Sequence, residues 1–165
     1  MKLFTFILAI FSLFSGERTA PIPGMNAPAK EKFAGTTPCG QLIRPLHNIA
    51  PSTDCALVEW ELTLLRDSVT QQPATYRLTG YSHYTLPDNN YSQPGIKSES
   101  TGKWSIVQGT GAHARSMIYQ LTPAKSGTTL RFIKLSDDLL HLLDENGSYL
   151  RGDPFQSYTL NRITK

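Results

Sequence analysis

The stretch ALVEWELTLL, residues 56–65, alternates apolar and polar side chains. Val58, Trp60, Leu62 and Leu64 share one face; Glu59, Glu61 and Thr63 share the other. Successive side chains of a β-strand point to opposite sides. The pattern therefore lays an apolar ribbon on a core and turns the carboxylates to water. A helix would scatter the same apolar groups around its circumference. The segment reads as a strand with one buried face.

Strand signals continue on the C-terminal side. Thr75 to Leu86 is rich in Tyr and Thr, with Tyr76 and Leu78 on one face and Gly80 as a candidate bulge. Ser98 to Val107 sets Trp104 and Ile106 on one face, and Arg115 to Leu121 does so with Met117, Tyr119 and Leu121. Thr128 to Leu135, Leu139 to Leu143 and Tyr158 to Ile163 are shorter, with Leu130 and Phe132 inward and His141 turned away from the core. Between them stand Pro87-Asp88-Asn89-Asn90, Gln108-Gly109-Thr110-Gly111, Asp137-Asp138 and Glu145-Asn146-Gly147, residues that pre-set turns or tolerate positive φ. Only Gln41 to Asn48 offers a short helical segment. The fold class expected is all-β: about eight short strands in an antiparallel meander that curls into a small barrel or half-barrel.

The chain has 165 residues, one domain's worth, and its hydrophobic fraction of 39% and charged fraction of 18% are those of a globular protein. The net charge of +3 is small and its charges are interspersed, so the basic stripe needed to neutralise a nucleic acid backbone is missing. Leu3 to Phe14 is apolar except for Thr5 and Ser12 and follows Lys2, the pattern of an export signal. It is too short for a bilayer span, which needs about 20 residues. The organisation read from sequence is a signal over residues 1–20, a Pro- and Ala-rich linker over 21–32, and one β-domain over 33–165. The chain is expected in the periplasm or cell envelope, held at the membrane if the signal stays uncut, with no transmembrane helix in the mature part.

Two cysteines, Cys39 and Cys55, in an exported chain favour a disulfide; a redox or metal role is the alternative. Such a bridge constrains the unfolded chain by about 3 kcal/mol. No nucleophile elbow, zinc-protease motif or phosphate loop is present, and Glu59 and Glu61 belong to a solvated face rather than to a paired-carboxylate site. No enzymatic activity is expected.

Gly35-Thr36-Thr37-Pro38-Cys39, Asp54-Cys55 and the strand Val58 to Leu64 resemble the N-terminal domain of the NlpE family, envelope proteins linked to copper homeostasis and stress sensing. Further matches follow in order at Tyr76-Arg77-Leu78, Gly102-Lys103-Trp104, Tyr119 to Pro123, Leu142 to Gly147 and Tyr158 to Arg162. The resemblance spans Phe33 to Ile163. It implies a small antiparallel barrel, similar in plan to a reduced lipocalin, without catalysis, acting through contacts with an envelope protein partner. The family's Cys-x-x-Cys pair matches Cys39 and Cys55, here separated by an insertion from Gly40 to Asp54, and no lipid-acceptor cysteine follows the apolar run.

Copper, the only cofactor so implied, takes thiolate and imidazole ligands, which makes Cys39, Cys55 and His47 the candidate metal set. The alternative functions are a small-ligand-binding barrel, with Trp60, Tyr76 and Trp104 as candidate pocket residues although both tryptophans read first as core anchors, and a structural or inhibitory module of the cell surface. His83 and His113 read as surface or hydrogen-bond-satisfied histidines in strand-end or turn contexts.

Overall fold

In the computed structural model, residues 29–164 are described, except 48, 89, 93 and 126. The expected signal and most of the expected linker lie outside the described residues. Eight strands run in sequence order and close on themselves: β1 (Lys30–Pro38), β2 (Leu57–Arg66), β3 (Pro73–His83), β4 (Ile96–Gln108), β5 (Met117–Pro123), β6 (Leu130–Lys134), β7 (Leu139–Leu142) and β8 (Thr159–Arg162). Every neighbouring pair is antiparallel, and β8 returns to β1 through Phe33 opposite Arg162. This is the closed form of the expected meander, in which no whole strand is left at an edge.

The alternation read from residues 56–65 is the alternation seen. Val58, Trp60, Leu62 and Leu64 are buried inside the barrel, while Glu59 and Glu61 are exposed outside it. Phe33, Leu121, Phe132, Leu140 and Leu160 complete the same core from the other strands.

β1 is the strand the sequence hid. It starts at Lys30, so the last residues of the expected linker are sheet. Only Phe33 among its inward positions is large and apolar; Glu31, Gly35 and Thr37 are the others, so no apolar period shows. Gly35 sits where β1 meets β8. A β-carbon there would lie 2.6 Å from the carbonyl oxygen of Thr159, so closure needs the bare backbone.

Glu31 explains why a charged start can be barrel wall. Its carboxylate is held by Arg66 Nε at 3.0 Å and Arg162 Nη2 at 2.8 Å. Arg66 lies over the Trp104 ring and Arg162 over Phe33. This layer plugs one end of the barrel.

Gly80 does not mark a bulge. It pairs in regular register with Trp60 and Ser98, and the register shift on β2 falls between Leu65 and Arg66. His83 is not at the surface but buried, where its Nδ1–H donates to the Ser92 carbonyl at 2.7 Å beneath the connection from β3 to β4. His141 does face outward, yet it is covered. Its Nε2–H donates to the Leu150 carbonyl at 2.9 Å, and Tyr149 packs edge-on against both His141 and His113. Burial holds the His141 pKa below the ordinary imidazole range.

Candidate functional site at the mouth of the barrel

The end opposite the arginine plug is covered by the segment between β1 and β2. It carries one short helix, α1 (Ile43–Leu46). Cys39 and Cys55 are joined in a disulfide at its base, with Cα atoms 5.8 Å apart. The Cys39 N–H donates to the Ala56 carbonyl, so chain and bridge fasten the lid together. Ile43, fully buried, drops from α1 into the core and pins the lid's centre. The Arg44 guanidinium donates to the Ala50 and Thr53 carbonyls and braces the lid's return.

His47 follows α1 and points down into the barrel. Its ring meets Trp60 edge-to-face at 5.0 Å between centroids and lies against Gly80. A β-carbon on residue 80 would stand 1.9 Å from His47 Cε1, so glycine is required at this close approach. The Ser98 hydroxyl donates to the Gly80 carbonyl at 3.3 Å, which leaves Ser98 Oγ to accept from His47 Nδ1–H. Nε2 is then a bare acceptor, buried with no hydrogen-bond partner among the described residues. With 9% of its surface exposed, His47 is neutral: burial lowers its pKa from 6.5 to about 4.

Beneath the lid lies a cavity of about 400 Å³. That size falls within the roughly 300–1,000 Å³ of small-molecule sites. Its apolar wall comes from Leu46, Leu78 and Leu130 and its polar wall from His47, Tyr76, Ser98 and Ser100, and Glu99 and Lys125 line it as well. The Tyr76 and Ser100 hydroxyls are 3.0 Å apart and bonded to each other. Burial raises the Tyr76 pKa, so its phenol is a neutral donor and acceptor at ordinary pH. The site can hold an uncharged body and satisfy a few polar groups. A larger hollow of about 540 Å³, against Leu65, Thr75 and Lys103, adjoins it and shares Tyr76, Thr101, Pro123 and Ala124 with it. Those side chains share the outer face with Arg77 and Thr101, so it is a groove in the outside wall rather than a chamber.

Of the residues singled out as a pocket, only Tyr76 lines the mouth cavity. Trp60 is buried and donates to Thr37 Oγ1 at 2.8 Å, and Trp104 donates to the Leu65 carbonyl at 2.8 Å; both are core anchors. Trp60 approaches the site only through His47. Of Tyr81, Tyr84 and Tyr91, which cluster with Tyr76 in sequence, all three are exposed and none lines it. The candidate metal set Cys39, Cys55 and His47 does not fit copper in this form: both sulfurs are in the disulfide rather than thiolates, and the described residues hold no group of three or more His, Cys, Asp and Glu placed for a metal. Sequence reasoning missed Ser98 and Ser100. The signal was present as Ser-x-Ser at the inward positions of a strand whose other half buries Trp104, which is the mark of a wet stretch of barrel wall.

Among the described residues, no helix is long and apolar enough to cross a membrane. No protein-family model, curated protein or solved structure matches this chain.

Proposed function

We propose that this chain is an exported, non-catalytic barrel that binds a small amphipathic molecule in the lidded mouth cavity. The observation that carries the proposal is the cavity of about 400 Å³ under the lid, whose wall joins Leu46, Leu78 and Leu130 to the Tyr76, Ser98 and Ser100 hydroxyls, with Glu99 and Lys125 also lining it. The disulfide supports an oxidising compartment, in keeping with the signal-like start. The test uses 1-anilinonaphthalene-8-sulfonate as the reporter and a set of phenols, indoles and short-chain alcohols as competitors. Saturable, competed fluorescence that is lost on Ser100→Trp, which fills the cavity, supports the reading. Binding that survives Ser100→Trp in the folded variant refutes it.

The disulfide favours a second reading, envelope sensing of the NlpE type. The bridge fastens the base of the segment that covers the mouth, so its reduction frees two thiols there while Ile43 still holds the lid. Under this reading the reduced protein takes up Cu(I) and the oxidised protein does not. Equal uptake by the Cys39→Ser/Cys55→Ser variant refutes it.

A further inference from the structure

β4 is longer than the strands beside it, and its two halves have different company. From Gly102 onward it pairs with β5; from Ile96 to Lys103 it pairs with β3. The half from Ile96 to Ser100 therefore has a neighbour on one side only. The Ala124 N–H donates to the Thr101 carbonyl, so the backbone groups of Thr101 face the β5 side. Backbone groups in a strand turn to alternate edges, which sends the N–H and C=O of Glu99 and Lys97 to that same side. Among the described residues neither finds a strand partner there. Glu99 and Ser100 instead border the mouth cleft, with Ala124 and Lys125 of the following turn across from them. The barrel is closed by its strand order and yet keeps a short open edge.

The edge is self-complementary. Laid antiparallel on a copy of itself, it has three close registers in which the outward-bonding residues 97 and 99 face each other. Two of these set Lys97 against Lys97 or Glu99 against Glu99. The third places a twofold axis at Ser98, sets Lys97 opposite Glu99 of the second copy, and does the same in reverse. Opposite charges directly across a ladder stabilise it and like charges oppose it, so charge selects this register. In it the N–H and C=O groups of both residues are bonded on both copies, as a twofold interface requires. Ile96, 63% exposed in the single chain, comes opposite Ser100 of the second copy.

We propose that the free edge of β4 is a self-association surface, on which two copies join through antiparallel Lys97–Glu99 pairing about Ser98. Lys97 and Glu99 already bridge within the chain at 3.5 Å, and Arg77 holds Glu99 at 3.4 Å, so the carboxylate is oriented on the outer face where the second lysine arrives. Glu99 and Ser100 belong both to this edge and to the lining of the mouth cavity, so a second copy on the edge stands beside the cavity.

The experiment is sedimentation equilibrium on the folded, disulfide-intact protein across micromolar to millimolar concentration, with amide exchange read at Lys97 and Glu99. The expected result is a monomer–dimer equilibrium in which both amides become protected as dimer forms. Lys97→Glu and Glu99→Lys each weaken association by tenfold or more, and the double exchange Lys97→Glu/Glu99→Lys restores it, since the pairing is reciprocal. A monomer at millimolar concentration overturns the proposal. So does a dimer insensitive to both single variants. Protection of both amides in the monomer also overturns it, by showing that another segment of this chain already occupies the edge.

Discussion

Removing the disulfide by Cys39→Ser/Cys55→Ser perturbs one covalent link and little packing, so its effect can be worked out. The bridge joins residues 16 apart. The loop-closure entropy of that length corresponds to about 3 kcal/mol at room temperature. For a domain of this size that is about 10 °C in Tm. The loss falls on the unfolded state, so the folded variant keeps its lid: Ile43 remains buried beneath α1 and the Arg44 braces are untouched. Urea unfolding followed by tryptophan fluorescence gives the number, with the slope unchanged and the midpoint lowered. A loss below about 1 kcal/mol would mean that the unfolded chain holds this loop together without the bridge. A variant whose core has loosened, seen as lost near-ultraviolet dichroism, would refute the claim that Ile43 anchors the lid unaided.

Three further outcomes follow from the same geometry. Gly80→Ala drives the His47 ring from its seat, because the added carbon would stand 1.9 Å from Cε1; it costs about 1–3 kcal/mol and changes Trp60 emission, whereas an unchanged spectrum and midpoint contradict the close approach. For His47, the unfolded chain takes up a proton below pH 6.5 while the folded one resists until about 4, so stability falls as pH drops through that window, by up to about 3 kcal/mol. His141, also lowered, adds in the same direction; in His47→Gln the slope is much reduced, and an unchanged slope would place the titration elsewhere. Glu31→Ala leaves the Arg66 and Arg162 guanidiniums facing each other without their carboxylate, at a cost of about 3 kcal/mol in urea unfolding, and a neutral result would show the plug to be dispensable.

The fold was legible wherever one face of a strand is apolar throughout. β2 announces itself because all four inward residues are large hydrophobes, and the later strands follow with two or three each. β1 was not legible, since its inward positions combine a clamped carboxylate, an aromatic, a glycine and a buried threonine. Each depends on a partner far along the chain: Glu31 on Arg162, Gly35 on Thr159, Thr37 on Trp60. The site divides in the same way. The disulfide could be read from two cysteines behind a signal-like start. The tryptophans read first as core anchors, and their N–H groups are satisfied inside the core by Thr37 and Leu65; the mouth cavity was not legible, because Ser98 and Ser100 join Tyr76 only once β3 and β4 pair. His83 was open between surface and satisfied for a related reason: only the tertiary fold of the following connection buries it and supplies the Ser92 carbonyl.

The most direct test of the mouth cavity as a binding site is chemical-shift mapping of the oxidised protein on addition of 1-anilinonaphthalene-8-sulfonate. Shifts confined to His47, Tyr76, Ser98, Ser100 and Leu130 are the predicted result. Shifts that instead trace the outer groove at Leu65, Thr75 and Lys103, with His47 unmoved, would contradict it.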